Sequence, residues 1–406
     1  MRKVVVSALV ALLAACQPPA EQEEEDLPPS MFDDVEAFGE ALFFDENLSL
    51  ERTQSCATCH DPMRAFTDGR TDALGNVRPV SLGDDGVSLG DRNAPTVAYA
   101  LLTPGFGFGT RARHNKQNNN RLYEGPLGGL FWDGRAPDLE GQAGGPPLNP
   151  IEMGMPDAAA VAERLDENDE YRRALFEFFG PESLQDDALA YEAMTEAIGA
   201  YERTETFAPF DSRYDRSLRG EVALTFTELT GKAIFFSQFA NCAVCHQLNS
   251  EGDPIGEREE PFTGYEFHNI GVPVNEMARA ANGVSGPDLG LSNREDIDDP
   301  SLRGAFKVPT LRNVAVTGPY MHNGVFDDLR TVIEFYDHFT NPEVRELNPE
   351  TGEPWRAPEV PETVATDLLQ VGDPMTDADV TALVCFLRAL TDARYEAMLP
   401  DDNLCP

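Results

Sequence analysis

Positive charge is scarce in this chain. Its 406 residues hold 31 Lys and Arg against 71 Asp and Glu, a formal net charge of −40. A protein of that sign has little with which to neutralise phosphates, which argues against nucleic acid as a partner. An acidic surface suits a small basic redox protein, or serves solubility alone. Long apolar runs are missing too. The one candidate, Val4 to Ala15, is too short to span a bilayer. Arg2 and Lys3 precede it and Leu13-Ala14-Ala15-Cys16 closes it. Residues 1–15 therefore read as a lipoprotein-type signal peptide, with Cys16 lipidated as the mature N-terminus; the alternative is an ordinary secretory signal with an incidental cysteine. Gln17, rather than Asp, after that cysteine favours the outer membrane. Residues 16–30 follow as an acidic, Pro-rich tether. The expected location is the periplasmic space, with membrane contact only through Cys16.

Cysteine is sparse, with seven in the chain, but four of them are tightly patterned. Cys56-Ala57-Thr58-Cys59-His60 and Cys242-Ala243-Val244-Cys245-His246 both read C-x-x-C-H, the attachment signature of a c-type haem. The two sulfurs bond the haem vinyl groups, and the adjacent histidine reaches the iron. A thioredoxin-like motif would need a βαβ context, which is not found. A zinc site would need a second ligand pair, and the other His and Cys residues are scattered singly. Cys385 and Cys405 remain. They are open to a disulfide in an exported chain, and Cys385 alone also suits a buried small residue in an apolar helix.

The length fits two or three domains. Helical signal runs over Val35–Phe44, Ala158–Leu165, Tyr171–Phe179, Asp187–Thr204, Thr227–Gln238, Asp327–Phe339 and Thr376–Leu390. Asp61 to Arg92 reads as loop. Pro104 to Gly129 reads as a second long loop, carrying the one basic cluster: Arg111, Arg113, His114, Lys116 and Arg121. Strand signal is weak and confined to pieces such as Gly264 to Val272. Pro209 to Gly220 reads as a polar connector. The expected fold is mainly α, with two cytochrome c-like haem-binding domains, 31–210 and 211–406, long loops and little β.

A series of blocks resembles the bacterial di-haem cytochrome c peroxidases and their MauG relatives over nearly the whole mature chain. The blocks include Gly39-Glu40-Ala41-Leu42-Phe43-Phe44-Asp45, Phe66-Thr67-Asp68-Gly69, Arg92-Asn93-Ala94-Pro95-Thr96 and Phe131-Trp132-Asp133-Gly134-Arg135. Asn149-Pro150-Ile151-Glu152-Met153 follows, then the run Phe306 to Val314, and Thr317-Gly318-Pro319-Tyr320-Met321-His322. The resemblance implies a peroxidatic haem in the N-terminal domain and an electron-transfer haem in the C-terminal one. Trp132 would lie between them as an electron relay. Gln142 and Glu152 would be distal residues, with Glu152 moving protons during O–O cleavage. Asn93, through its amide, and Thr317 and Pro319, through backbone carbonyls, would hold an inter-domain calcium ion. His322 would brace these surroundings, and His268 reads as structural.

Two departures sharpen the expectation. Ordinary members carry a histidine between the first haem motif and the Arg92 block, where it ligates the peroxidatic iron. Asp61 to Asp91 has none, and the counterpart position is Asp85. His114 is the competing candidate, as a ligand reaching in from the basic loop. Ordinary members also place a methionine fourteen residues after the block histidine, where this chain has Tyr336, as MauG does. Tyr336 is thus the expected sixth ligand of the second haem, with Met321 and His338 as fallbacks. A phenolate lowers the potential relative to a thioether. The expected activity is reduction of hydrogen peroxide at the first haem with electrons from the second, supplied by a small cytochrome or copper protein. The alternatives are a MauG-like enzyme that oxidatively modifies a partner protein, and a non-catalytic di-haem carrier. Ala240 stands where MauG has a surface tryptophan used in substrate oxidation, which weighs against the MauG-like version.

Overall fold

The computed structural model describes residues 27–112, 122–248, 259–283 and 285–405. The signal segment, Cys16, most of the tether, and Arg113, His114, Lys116 and Arg121 lie outside the described residues. Among those described, no helix is long and apolar enough to cross a membrane.

The helices begin where acidic or hydroxyl caps satisfy the first free N–H groups. Asp34 accepts from Ala37 N to start Val35–Phe43, and Asp186 caps Asp187–Glu202. Reciprocal capping boxes, Thr225 with Glu228 and Thr376 with Asp379, open Phe226–Phe235 and Asp377–Arg388. The expected polar connector contains a short helix of its own, Arg213–Leu218, opened by Ser212 and Asp215.

Two helix pairs carry the core. Val35–Phe43 packs on Asp187–Glu202, and Phe226–Phe235 packs on Asp377–Arg388. Each crossing is made at a glycine. A Cβ on Gly39 would lie 1.9 Å from the Ala197 carbonyl oxygen, and one on Gly231 would lie 1.8 Å from that of Ala382. Only a residue without a side chain lets these backbones meet. Around the first crossing, Phe38, Leu42, Phe43, Phe66, Met194, Ile198 and Phe207 are buried together. Around the second, Tyr214, Phe235, Phe262, Val380, Leu383 and Phe386 are.

The long segment from Pro104 to Gly129 is not all loop. Gly107–Ala112 and Leu122–Leu127 pair as an antiparallel hairpin. Its glycines hid the alternation that would have marked a strand, because glycine weakens strand signal. A second small ladder pairs Phe267–His268 with Phe306–Lys307, and Cys385 is joined to Cys405 by a disulfide. Arg312, fully buried, donates to both carboxylate oxygens of Asp215 and to the Glu260 carbonyl. Tyr99, from the first half of the chain, donates to Asp392, which also accepts from Asn313.

Gly231→Ala should lower stability by about 1–3 kcal/mol through forced separation of the two helices. Chemical denaturation of the holoprotein checks this.

Candidate functional site

The first motif begins on a single helical turn, Cys56–Cys59, whose cap residue Ser55 exchanges bonds with Thr58. The second motif begins on a tighter turn, Cys242–Val244. None of the four motif cysteines is engaged in a disulfide. Burial pushes Cys56 and Cys242 up to about 12 and Cys59 to about 11, so they remain protonated.

Both motif histidines are held alike. His60 Nδ1 lies 3.2 Å from the Phe66 carbonyl, and His246 Nδ1 lies 3.0 Å from that of Phe262. With Nδ1 donating, Nε2 is left as the ligating nitrogen. Each accepting phenylalanine adopts a positive φ, 57° at Phe66 and 54° at Phe262, a costly conformation for a bulky residue. Packing holds it: Phe66 stacks on Phe207 at 4.4 Å, and Phe262 meets Tyr214 edge-on at 5.3 Å. Burial lowers both imidazoles, His246 to about 4, keeping them neutral as a ligand must be.

Both motifs open onto one cavity of about 880 Å³. Paired free thiols and neutral imidazoles facing one large, mostly apolar chamber fit covalently attached haem. The same chamber is lined by Asn93, Trp132, Gln142, Glu152, Thr317, Pro319 and Tyr336, so the residues singled out in the sequence converge in space. Trp132 is bonded to both halves. Its Nε1 donates to the Asn93 carbonyl at 2.8 Å, and its own carbonyl accepts from Lys307 N at 2.8 Å. Asn93 is itself fixed by His322 O and by donation from Nδ2 to Pro79 O, which leaves its amide oxygen as the acceptor end. An amide oxygen and two backbone carbonyls are donors that calcium accepts. Gln142 sits on the short helix Leu139–Ala143, capped by Asp138. Glu152 lies in the turn after Asn149. Burial pushes its carboxyl up to about 7, opposed by Arg135.

The remaining named positions divide between the chamber and its surroundings. Asp85 is exposed and folded into its own turn with Val87 and Ser88, away from the chamber. His338 does not line the chamber either; its ring stacks on Trp355, whereas Met321 does line it. His114 lies outside the described residues. His322 and His268 both face the chamber, and His268 Nε2 lies 2.8 Å from Glu266. Cys245, Glu266 and His268 converge within 4.8 Å. A thioether at Cys245 removes the thiol from any metal role there.

Two chamber residues carry chemistry that the sequence reading passed over. Glu202 ends the helix Asp187–Glu202, is 3% exposed, and burial raises it to about 8. Lys307 is lowered to about 8 by burial, opposed by Asp133. Neither has a signal in periodicity, since each takes a position that a core residue could equally fill.

Two haem-attachment motifs on one chamber define a di-haem c-type cytochrome. The family model described as di-haem cytochrome c peroxidase matches residues 33–223. The methylamine utilization protein MauG of Paracoccus denitrificans is 50% identical over 400 residues, covering 98% of both chains. Cytochrome c peroxidase Ccp of Escherichia coli is 32% identical over 290 residues, 71% of this chain and 50% of its own length. Among solved structures, the diheme peroxidase BthA of Burkholderia thailandensis superposes with a TM-score of 0.76 at 32% identity, covering 94% of this chain and 90% of its own. The chain belongs to the di-haem cytochrome c peroxidase and MauG family, and it is an oxidoreductase.

Glu152 gives a signed pH effect. Its folded-state value, about 7, lies above the usual 4.5, so the native state binds the proton more tightly than the unfolded chain. Wild type should therefore lose up to about 3 kcal/mol relative to Glu152→Gln as pH rises from about 4.5 to about 7, with a constant gap above. Denaturant titration of both proteins across that range reads it.

Proposed function

We propose that this chain reduces hydrogen peroxide at the haem on Cys56 and Cys59, using electrons that enter through the haem on Cys242 and Cys245. The observation that carries this is the composition of the first site. Glu152 and Gln142 share the chamber with His60, while the segment from Asp61 to Asp91 brings no histidine into it. Bound haem supplies the iron coordination and the redox change. A carboxyl poised near 7 gives and takes a proton at its oxygen within the physiological range. The Gln142 amide orients the distal oxygen atoms by hydrogen bonding. Trp132 carries electrons between the two sites, and its bonds to Asn93 and Lys307 hold the indole in register with both halves.

Tyr336 is the proposed sixth ligand of the second haem, with Met321 as the other side chain available to it. Calcium on Asn93, Thr317 and Pro319 would tie residues 31–210 to 211–406, the two proposed haem domains. The proposed setting is the periplasmic space, with a lipid anchor at Cys16 to the outer membrane. A reduced small cytochrome or copper protein serves as donor in this reading. A second reading has a partner protein give up the electrons and become oxidatively modified. It is favoured by Tyr336 and by the 50% identity to MauG, whose name ties that relative to methylamine utilization. Ala240 weighs against it.

Electron paramagnetic resonance of the ferric holoprotein should give one high-spin and one low-spin haem, and two low-spin signals would refute an open first site. Tyr336→Met should change the low-spin signal and raise the potential of that haem; an unaltered spectrum removes Tyr336 as ligand. Peroxide turnover with a reduced small cytochrome should proceed without prior reduction of the enzyme.

A further inference from the structure

Trp355 lies outside the chamber, yet it is connected to it. The indole is half-buried, and its Nε1 donates to the Arg345 carbonyl at 2.8 Å. One face stacks on His338, with centroids 5.3 Å apart and planes 24° apart. The ring also meets Phe335 at 5.6 Å, and Phe335 meets Tyr336 edge-on at 5.9 Å. Tyr336 faces the chamber that holds Cys242, Cys245 and His246. A single buried phenyl ring therefore separates a solvent-reaching indole from the phenol beside the second haem site. Indole and phenol are the side chains most readily oxidised by one electron, and a packed aromatic ring between them is a short path. The rest of the chain's tryptophan is Trp132, inside the chamber.

The surface at this indole suits a protein contact. Leu347, 45% exposed, pairs with Pro354 next to Trp355, and Val344 is 67% exposed. Glu343, Glu346 and Glu353 are exposed around them. Arg345 is turned inward onto Asp337 and Asp377, leaving Arg356 as the exposed cation of the stretch 342–356.

We propose that Trp355 is the surface end of an electron relay into the second haem site, taking electrons from a redox protein with a basic contact face. The proposal rests on the peroxide-reducing reading above. Each passage moves one electron. The partner's redox centre loses it, the indole hands it on, and the second haem site accepts it. The relay makes no net change in bonding: a proton that an oxidised ring sheds returns to it when the ring is reduced again. Two passages, with two protons, reduce one hydrogen peroxide to two waters. The acidic, partly apolar stretch 342–356 that carries the indole complements the basic face of the partner.

The test uses the holoenzyme, hydrogen peroxide and a reduced, basic small c-type cytochrome. With peroxide and no donor, peptide mass spectrometry should find oxidised indole at Trp355, and added donor should suppress it. Trp355→Phe should slow donor oxidation roughly tenfold, equivalent to about 1.4 kcal/mol on the barrier. Trp355→Tyr, which restores an oxidisable ring, should recover most of the rate, a rescue that a purely structural role would not produce. A wild-type Soret band that responds to peroxide, with unmodified Trp355 and Trp355→Phe at the wild-type rate, would overturn the relay alone. A Soret band that ignores peroxide would overturn the peroxide reading and the relay together.

Discussion

Arg92 holds the two halves of this chain in register. Its guanidinium lies between two carboxylates, with Asp133 at 2.7 Å and Asp288 at 2.7 Å, and all three side chains are largely buried. A buried ion pair of this kind adds little net stability, because desolvation offsets most of the attraction, but removing one partner leaves a stranded charge. What it contributes is position. Asn93 follows Arg92 in the chain and Trp132 precedes Asp133, while Asp288 comes from the second half. One cation thus sets the spacing of the amide and the indole that face both motifs. The carbonyl of Trp132 then meets Lys307 N, which extends the same registration to the second haem side.

The halves solve the same problem twice. In each, a glycine lets two helices touch backbone to backbone, at Gly39 and at Gly231. In each, a phenylalanine in a left-handed conformation offers its carbonyl to the motif histidine. The difference lies on the opposite wall. The Glu152 carboxyl acts on Cys59 of the first motif, whereas the Tyr336 phenol feels Cys245 and Cys242 of the second. A repeated scaffold with unlike walls is how one chain can divide two haem tasks.

Much of this was legible in the sequence because the informative signals are local. C-x-x-C-H spans five residues, and helices such as Asp187–Glu202 and Asp377–Arg388 carry their caps and periodicity with them. The chamber-lining set was legible by resemblance, block by block. What stayed hidden depends on contacts distant in sequence. The hairpin Gly107–Ala112 with Leu122–Leu127 was masked by glycine. His338 and Met321 looked equivalent as ligands until the fold turned one toward Trp355 and the other into the chamber. Glu202 reads as one more polar residue near a helix end, and only its packing against the first motif makes it a buried acid.

The bond between Cys385 and Cys405 bears on how the chain matures. A protein with six cysteines among its described residues faces many wrong pairings, and every haem thiol lost to one leaves its haem half-attached. Closing a short loop costs less entropy than closing a long one. The two spare thiols stand 20 residues apart, whereas either is far along the chain from both motifs. Reach therefore favours the structural pair over any pairing of Cys385 or Cys405 with a motif sulfur, which removes both spare thiols from competition for the haem sites. That same bridge ties the last described residues to the helix Asp377–Arg388, which crosses Gly231, so one covalent bond both removes the spare thiols and fastens the tail to the second helix pair.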